Sequence, residues 1–140
     1  MKTTINAYVS FNGKCSEAMN FYKECIGGNL MLQTVEGSPM EAQCPSSMKG
    51  LILHSSLVKD DLVLMATDMV HEQHIQGNNI SLSVNCSSEE EINSLFLKLG
   101  EGGRIIDPLK NQFWGAIFGA LIDKYGIRWM FNFQLQHKEG

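Results

Sequence analysis

Asn111 to Asn132 reads NQFWGAIFGALIDKYGIRWMFN, and the rest of the chain is best understood outward from it. It carries both tryptophans and no proline, so nothing in it opposes extended pairing. Phe113 to Asp123 is apolar and punctuated by glycine, which predicts a strand that something approaches closely. Lys124-Tyr125-Gly126 predicts a turn, and Ile127 to Phe133 a returning strand. In that strand Ile127, Trp129, Phe131 and Phe133 share one face, while Arg128, Met130 and Asn132 share the other. The first face is core. The second mixes charge, sulfur and amide, which suits either a half-wet sheet or the wall of a pocket.

Upstream, the same kinds of element recur in the same order. Ile5 to Phe11 alternates, with Ala7, Val9 and Phe11 against Asn6, Tyr8 and Ser10. Asn12-Gly13 turns the chain into a helix with Ser16 as its expected N-cap and Ala18, Phe21, Tyr22, Cys25 and Ile26 on its apolar face. Gly27-Gly28 stops it. Leu30 to Val35 predicts a short strand, and Glu36 to Gly50 a loop long enough to act as a flap. Leu51 to Val58 and Leu62 to Thr67 predict a hairpin about Lys59-Asp60-Asp61. His54 and Ser56 lie on one face of its first strand.

After a polar linker, residues 69–77, the order starts again. Asn79 to Val84 alternates, Ser88 and Glu91 form a capping box, and Ile92, Leu95, Phe96 and Leu99 mark a helix. Arg104 to Ile106 predicts a strand that Asp107-Pro108 breaks. The chain therefore reads as α+β, one domain over 1–140 made of two β-α-β-β-β repeats, about 1–68 and 78–140. Asn6 falls on Asn79 and Ile26 on Leu99 at an offset of 73. Two amphipathic helices need a sheet to cover, so one curved mixed sheet with helices outside is expected. Its uncovered faces would line a shared cavity. That places Tyr8, His54, Met65, Asn79, Met130 and Asn132 inside, with Asn6, Ser10, Ser56, Thr67 and Ser81, and gives the mixed face of the opening stretch a use.

Composition limits the function. A net charge of −4 with no basic cluster excludes an electrostatic reader of nucleic acid. No apolar run is long enough to span a bilayer, and the N-terminus reaches Asn6 without an apolar signal segment. Cys15, Cys25, Cys44 and Cys86 form no C-x-x-C pair or zinc spacing, which predicts free thiols and a cytoplasmic protein. Neither Cys15 nor Cys86 has a neighbouring cation, so no thiolate nucleophile is expected. His71 and His74 form H-x-x-H in a polar segment that reads as exposed loop.

The repeat resembles the vicinal oxygen chelate superfamily, which includes glyoxalase I, extradiol dioxygenases and bleomycin-resistance proteins. It is most similar to the PhnB-like branch, whose members often carry a ubiquinone-methyltransferase label that the fold does not support. Tyr8-Val9-Ser10-Phe11-Asn12-Gly13, Ala18 to Tyr22, Leu62 to Asp68, Gly77 to Leu82, Phe113-Trp114-Gly115 and Asp123 to Asn132 carry the likeness, over nearly the whole chain. The resemblance implies four metal-ligand slots, which fall here on Asn6 (or Ala7), Met65, Asn79 and Met130. Metal-dependent members need imidazole and carboxylate there; two amides and two thioethers predict no metal site and no cofactor.

A pocket for a small amphipathic or aromatic ligand remains. His54 is its one group that titrates near neutrality, a general base or a hydrogen-bonding partner. Tyr8 and Asn132 would add hydrogen bonds, and Trp114 and Met130 apolar walls. Phe113 reads as packing core. The alternative is a lyase, isomerase or dioxygenase of glyoxalase type, with His54 joined by Glu36 or Glu41 from the flap. A structural role with a vestigial cavity is a third reading. The resemblance also implies a homodimer, to which the run Trp114 to Ile122 would contribute.

Overall fold

The computed structural model describes residues 1–70 and 72–135. His71 and residues 136–140 lie outside them, so the H-x-x-H pair is seen only at His74, whose Nε2 donates to the Ser10 carbonyl at 3.1 Å. The chain divides into two compact units, Met1–Ile75 and Gln76–Gly140. No helix among the described residues is long and apolar enough to cross a membrane.

The first unit runs β1 (Ala7–Ser10), α1 (Cys15–Ile26), β2 (Asn29–Thr34), β3 (Ile52–Lys59) and β4 (Leu62–Thr67). The second runs β5 (Leu82–Asn85), α2 (Glu89–Leu99), β6 (Arg104–Asn111), β7 (Ala116–Ile122) and β8 (Arg128–Gln134). The strands form two four-stranded sheets in place of one continuous sheet, ordered β1-β4-β3-β2 and β5-β8-β7-β6. In each, the first strand pairs parallel with the last and the other pairs are antiparallel. The repeat seen in the sequence is thus a repeat of topology.

Helix α1 begins one residue before the expected cap. Lys14 holds the N-cap position and offers no side-chain bond. The cap comes from Asp68, after β4. Its Oδ1 accepts from the backbone N–H groups of Gly13 and Cys15, both at 3.0 Å, and its Oδ2 accepts from Ile52 N–H at 2.9 Å. A buried carboxylate at a helix N-terminus satisfies orphan donors and meets the positive end of the helix dipole. At the other end Lys59 Nζ donates to the Ile26 carbonyl at 2.8 Å. Gly28 follows with φ +96°, and a Cβ there would lie 2.6 Å from the Val58 carbonyl oxygen. Only glycine permits that approach.

Helix α2 is capped as the sequence predicts: Ser88 Oγ accepts from Glu91 N–H at 3.0 Å. The Glu91 carboxylate reaches Ser87 N–H rather than the cap residue's own. Ile92, Leu95 and Leu99 are buried, and Phe96 meets Phe131 edge-on with centroids 5.3 Å apart.

The predicted boundaries shift in three places. Strand β5 begins at Leu82, so Asn79 and Ile80 precede it, and Ile80 is 74% exposed. Strand β6 continues through Asp107-Pro108 to Asn111, because it lies at the sheet edge and is bulged there. An edge strand tolerates a residue without an N–H. The longer β6 moves the turn to residues 112–115, closed by Gln112 N–H to the Ala116 carbonyl at 2.8 Å. Phe113 is therefore 96% exposed at the tip of that turn, not core, and Trp114 beside it is 47% exposed.

Candidate functional site

Each helix covers one face of its sheet and leaves the other open. In the first unit the covered face carries Ser55, Leu57, Leu64 and Ala66, all buried. Ser55 keeps step with Leu57, but a register shift between Gln33 and Thr34 changes the phase of β3 before it, so Ile52 is core and Leu53 half-buried. Ser55 Oγ donates to the Ala66 carbonyl at 2.8 Å, so its burial leaves no unpaired hydroxyl.

The open face follows from the register. Tyr8 pairs with Met65, Met65 with Ser56, and Ser56 with Met31, one row across all four strands. His54 lies two residues from Ser56 on the same face and pairs with Gln33. Tyr8 is 50% and Met31 45% exposed. Across this face the Tyr8 hydroxyl and His54 Nδ1 are hydrogen-bonded at 3.0 Å, with ring centroids 5.7 Å apart and planes tilted by 38°. The structure thus brings Tyr8, His54 and Met65 together. It adds Met31 and Gln33, which sequence alternation alone did not single out because their place depends on which strand β2 pairs with. Thr67 does not join them: it is buried, and its hydroxyl donates to the Leu53 carbonyl at 2.8 Å.

In the second unit the corresponding row is Ser83, Met130, Ala120 and Asp107. The next row is Asn85, Asn132, Phe118 and Lys110. Met130 is 40% exposed, and Asn132 Nδ2 lies 3.5 Å from Asn85 Oδ1. Met130 and Asn132 share a face, as the opening stretch predicts. Asn85 was legible as the next step of the alternation beyond Val84. Trp114 sits at the β6–β7 turn, edge-on to Phe113 at 4.9 Å and to Phe118 at 6.3 Å.

The remaining predicted residues fall elsewhere. Asn6 precedes β1, is exposed and donates to Thr4 at 3.3 Å; Asn79 precedes β5. The residues facing Met65 and Met130 are Tyr8 and Ser83, not the two asparagines. A phenol, a hydroxyl and two thioethers are no better match to a hard or borderline divalent cation than the amides. Among the described residues, no three His, Cys, Asp or Glu side chains gather as a metal cage.

The flap folds on itself through two short 3-10 turns, Glu41–Gln43 and Ser46–Met48. Glu41 accepts from Gly37 N–H at 2.9 Å and pairs with Lys49 at 3.7 Å, so its carboxylate is engaged within the flap rather than offered to His54. A shallow cavity of about 400 Å³ lies there against Ser38, Pro39, Glu41, Ala42 and Lys49.

All four cysteines are free thiols. Burial pushes the Cys15 thiol up to about 11, with the Asp68 charge adding to it and a Ser55 hydrogen bond opposing it. Burial and then the Glu91 charge push Cys86 up to about 11. Neither is poised as a nucleophile.

This geometry has known counterparts. The structure of a glyoxalase/bleomycin resistance protein/dioxygenase family enzyme from Burkholderia phytofirmans shares the fold at a TM-score of 0.63 and 13% identity, covering 92% of this chain and 98% of that one. Protein PA1353 from Pseudomonas aeruginosa is nearer, with a TM-score of 0.86 and 34% identity over 96% of this chain and 100% of that chain. The PhnB protein from Bacillus cereus, which bears a 3-demethylubiquinone-9 3-methyltransferase name, matches at 0.72 and 29% over 94% and 99%. Protein YjdN of Escherichia coli (strain K12) is 28% identical over 91% of this chain and 93% of its own length. A family model described as 3-demethylubiquinone-9 3-methyltransferase matches residues 3–132. The chain belongs to that family, the PhnB-like branch of the glyoxalase/bleomycin-resistance/dioxygenase fold.

Proposed function

We propose that this protein binds a small amphipathic or aromatic molecule without a divalent metal, and that the open face of the first sheet holds it. The in-register row from Tyr8 to Met31, with the Tyr8–His54 hydrogen bond on it, carries the reading. Thioethers and a phenol ring supply apolar contact, and imidazole and amide supply a few directed polar groups, the usual mix of a small-molecule site. Methyl transfer belongs to the names of the family model and of the Bacillus cereus protein, and the reading proposed here does not draw on it.

The test is metal analysis of protein purified without added metal, with thermal shifts against Zn, Mn, Ni and Fe(II), followed by a screen of small aromatic and amphipathic compounds. The expected result is no bound metal, no metal shift, and a dose-dependent rise in melting temperature with some compounds that His54→Ala abolishes. Near-stoichiometric metal held through His54 would overturn the reading in favour of a glyoxalase-type enzyme.

The same proposal includes a homodimer in the cytoplasm. Free thiols suit a reducing compartment. Exposed Phe113 and Trp114 suit a surface that a second copy covers. Light scattering should give twice the chain mass for the native protein and the chain mass for a Phe113→Ser/Trp114→Ser variant; a native monomer at micromolar concentration would remove this part.

A further inference from the structure

We infer that Tyr8 is a positioning residue that holds His54 as a hydrogen-bond donor, so that the site selects ligands carrying an exposed oxygen acceptor, a carbonyl or a carboxylate. This rests on the binding reading above and names its ligand class.

The argument begins with the proton between the two rings. The Tyr8 hydroxyl and His54 Nδ1 lie 3.0 Å apart, and either could donate. A phenol, with a pKa of about 10, is a much stronger acid than a neutral imidazole N–H, and a bare imidazole nitrogen is a stronger base than a phenol oxygen. The O–H therefore donates and Nδ1 accepts. A neutral imidazole has one proton, so it resides on Nε2. Among the described residues His54 makes its hydrogen bond through Nδ1, and the ring is half-buried, which leaves Nε2 for a ligand. His54 thus offers an N–H outward from a half-buried ring. Met65 and Met31 flank this position in the row beside it and give a ligand's apolar body a place to lie.

The consequence is opposite to that of a general base. A base would need a bare Nε2 to take a proton from its substrate. This arrangement presents a proton to an acceptor, and Tyr8 is what sets the choice. A second donor at His54, such as the amide of glutamine, would serve the same purpose without needing Tyr8.

Nitrogen-15 NMR of the histidine side chains, on the full chain with the imidazoles neutral, tests this directly. The expected spectrum shows His54 with the proton on Nε2, and Tyr8→Phe shifts it toward a mixture of tautomers while leaving the fold intact. Benzoate and benzylamine then serve as probes with the same ring and opposite head groups. Benzoate should perturb the His54 Nε2 signal, and benzylamine, protonated and without an acceptor, should not. Tyr8→Phe should weaken benzoate roughly fivefold, the worth of one modest hydrogen bond. His54→Gln should still bind benzoate and should be indifferent to Tyr8→Phe. A proton on Nδ1, a tautomer unchanged in Tyr8→Phe, or a preference for benzylamine would each overturn the inference. If such a result came while screened compounds still stabilised the protein through His54, the binding reading would stand without it; if nothing bound at all, the reading itself would fall.

Discussion

Asp68 does the work of three separate residues. Its two carboxylate oxygens accept from Gly13, Cys15 and Ile52, which ties the start of α1 and the start of β3 to the end of β4. These are charge-assisted bonds out of water, each stronger than a neutral pair. Asp68→Asn keeps the shape but turns an amide group toward backbone donors. Urea unfolding should show a loss of about 2–4 kcal/mol, from the weakened bonds and the N–H groups left unpaired. A change below about 0.5 kcal/mol would mean that water or a rearranged α1 end replaces the carboxylate. In the second unit Asp123 gathers Tyr125 N–H, Ile127 N–H and the Trp129 indole N–H, at 2.8, 3.1 and 2.8 Å. Both acids look like ordinary turn residues in the sequence. The partners of Asp68 lie 16 to 55 residues away, so no local pattern reveals that α1 is capped from a distance and not by Ser16.

At the scale of elements, helices and strand faces were legible wherever periodicity and local chemistry agreed. Trp129 and Phe131 are buried while Met130 is exposed, as alternation in β8 requires. Ser88 and Glu91 marked the start of α2 because that cap is local. The misplaced pieces depended on pairing. Asp107-Pro108 ends an isolated strand but not an edge strand, and the longer β6 puts Phe113, expected in the core as a large aromatic, at the tip of the next turn. The asparagine slots failed for a related reason. The first unit has one more loop residue before its helix and one more helical residue, so an offset of 73 at the helix ends becomes 75 between β1 and β5. The Tyr8–His54 contact needed the β1–β4–β3 register and was not legible at all. Gly119, on β7, is where side chains of α2 and β6 close onto the strand. A Cβ there would lie 2.7 Å from Leu109 Cδ2 and 2.9 Å from Phe96 Cε2. Gly119→Ala should cost about 1–3 kcal/mol by calorimetry or urea, because α2 and β6 must both move. An unchanged midpoint would show that the Leu109 side chain alone gives way.

For the whole molecule, the two buried thiols set a limit at high pH. Cys15 and Cys86 are held as thiols up to about 11, from 9.0, so between those values the unfolded chain loses protons that the folded chain keeps. Stability is complete below pH 9, falls as the pH rises from 9 to about 11, and then levels off. The loss is up to roughly 3 kcal/mol for each thiol, from two pKa steps. Urea midpoints should decline over that window, and Cys15→Ala and Cys86→Ala should each flatten the decline whatever their stability at pH 7. A decline equally steep in both variants would assign it to lysines or tyrosines. At pH 8 a maleimide should modify half-buried Cys44 long before either.

The two indoles give the molecule an uneven optical signature. Trp129 is 3% exposed with its N–H bound to Asp123, and Trp114 is 47% exposed at a turn, yet both belong to the unit Gln76–Gly140. The unit Met1–Ile75 contains Tyr8 and Tyr22 and no tryptophan. Light absorbed at the red edge of the protein band therefore reports on one half of the chain alone. Emission from Trp129 should be blue and hard to quench, emission from Trp114 red and open to acrylamide, and the half that carries Tyr8 and His54 should unfold or fill with ligand in the dark.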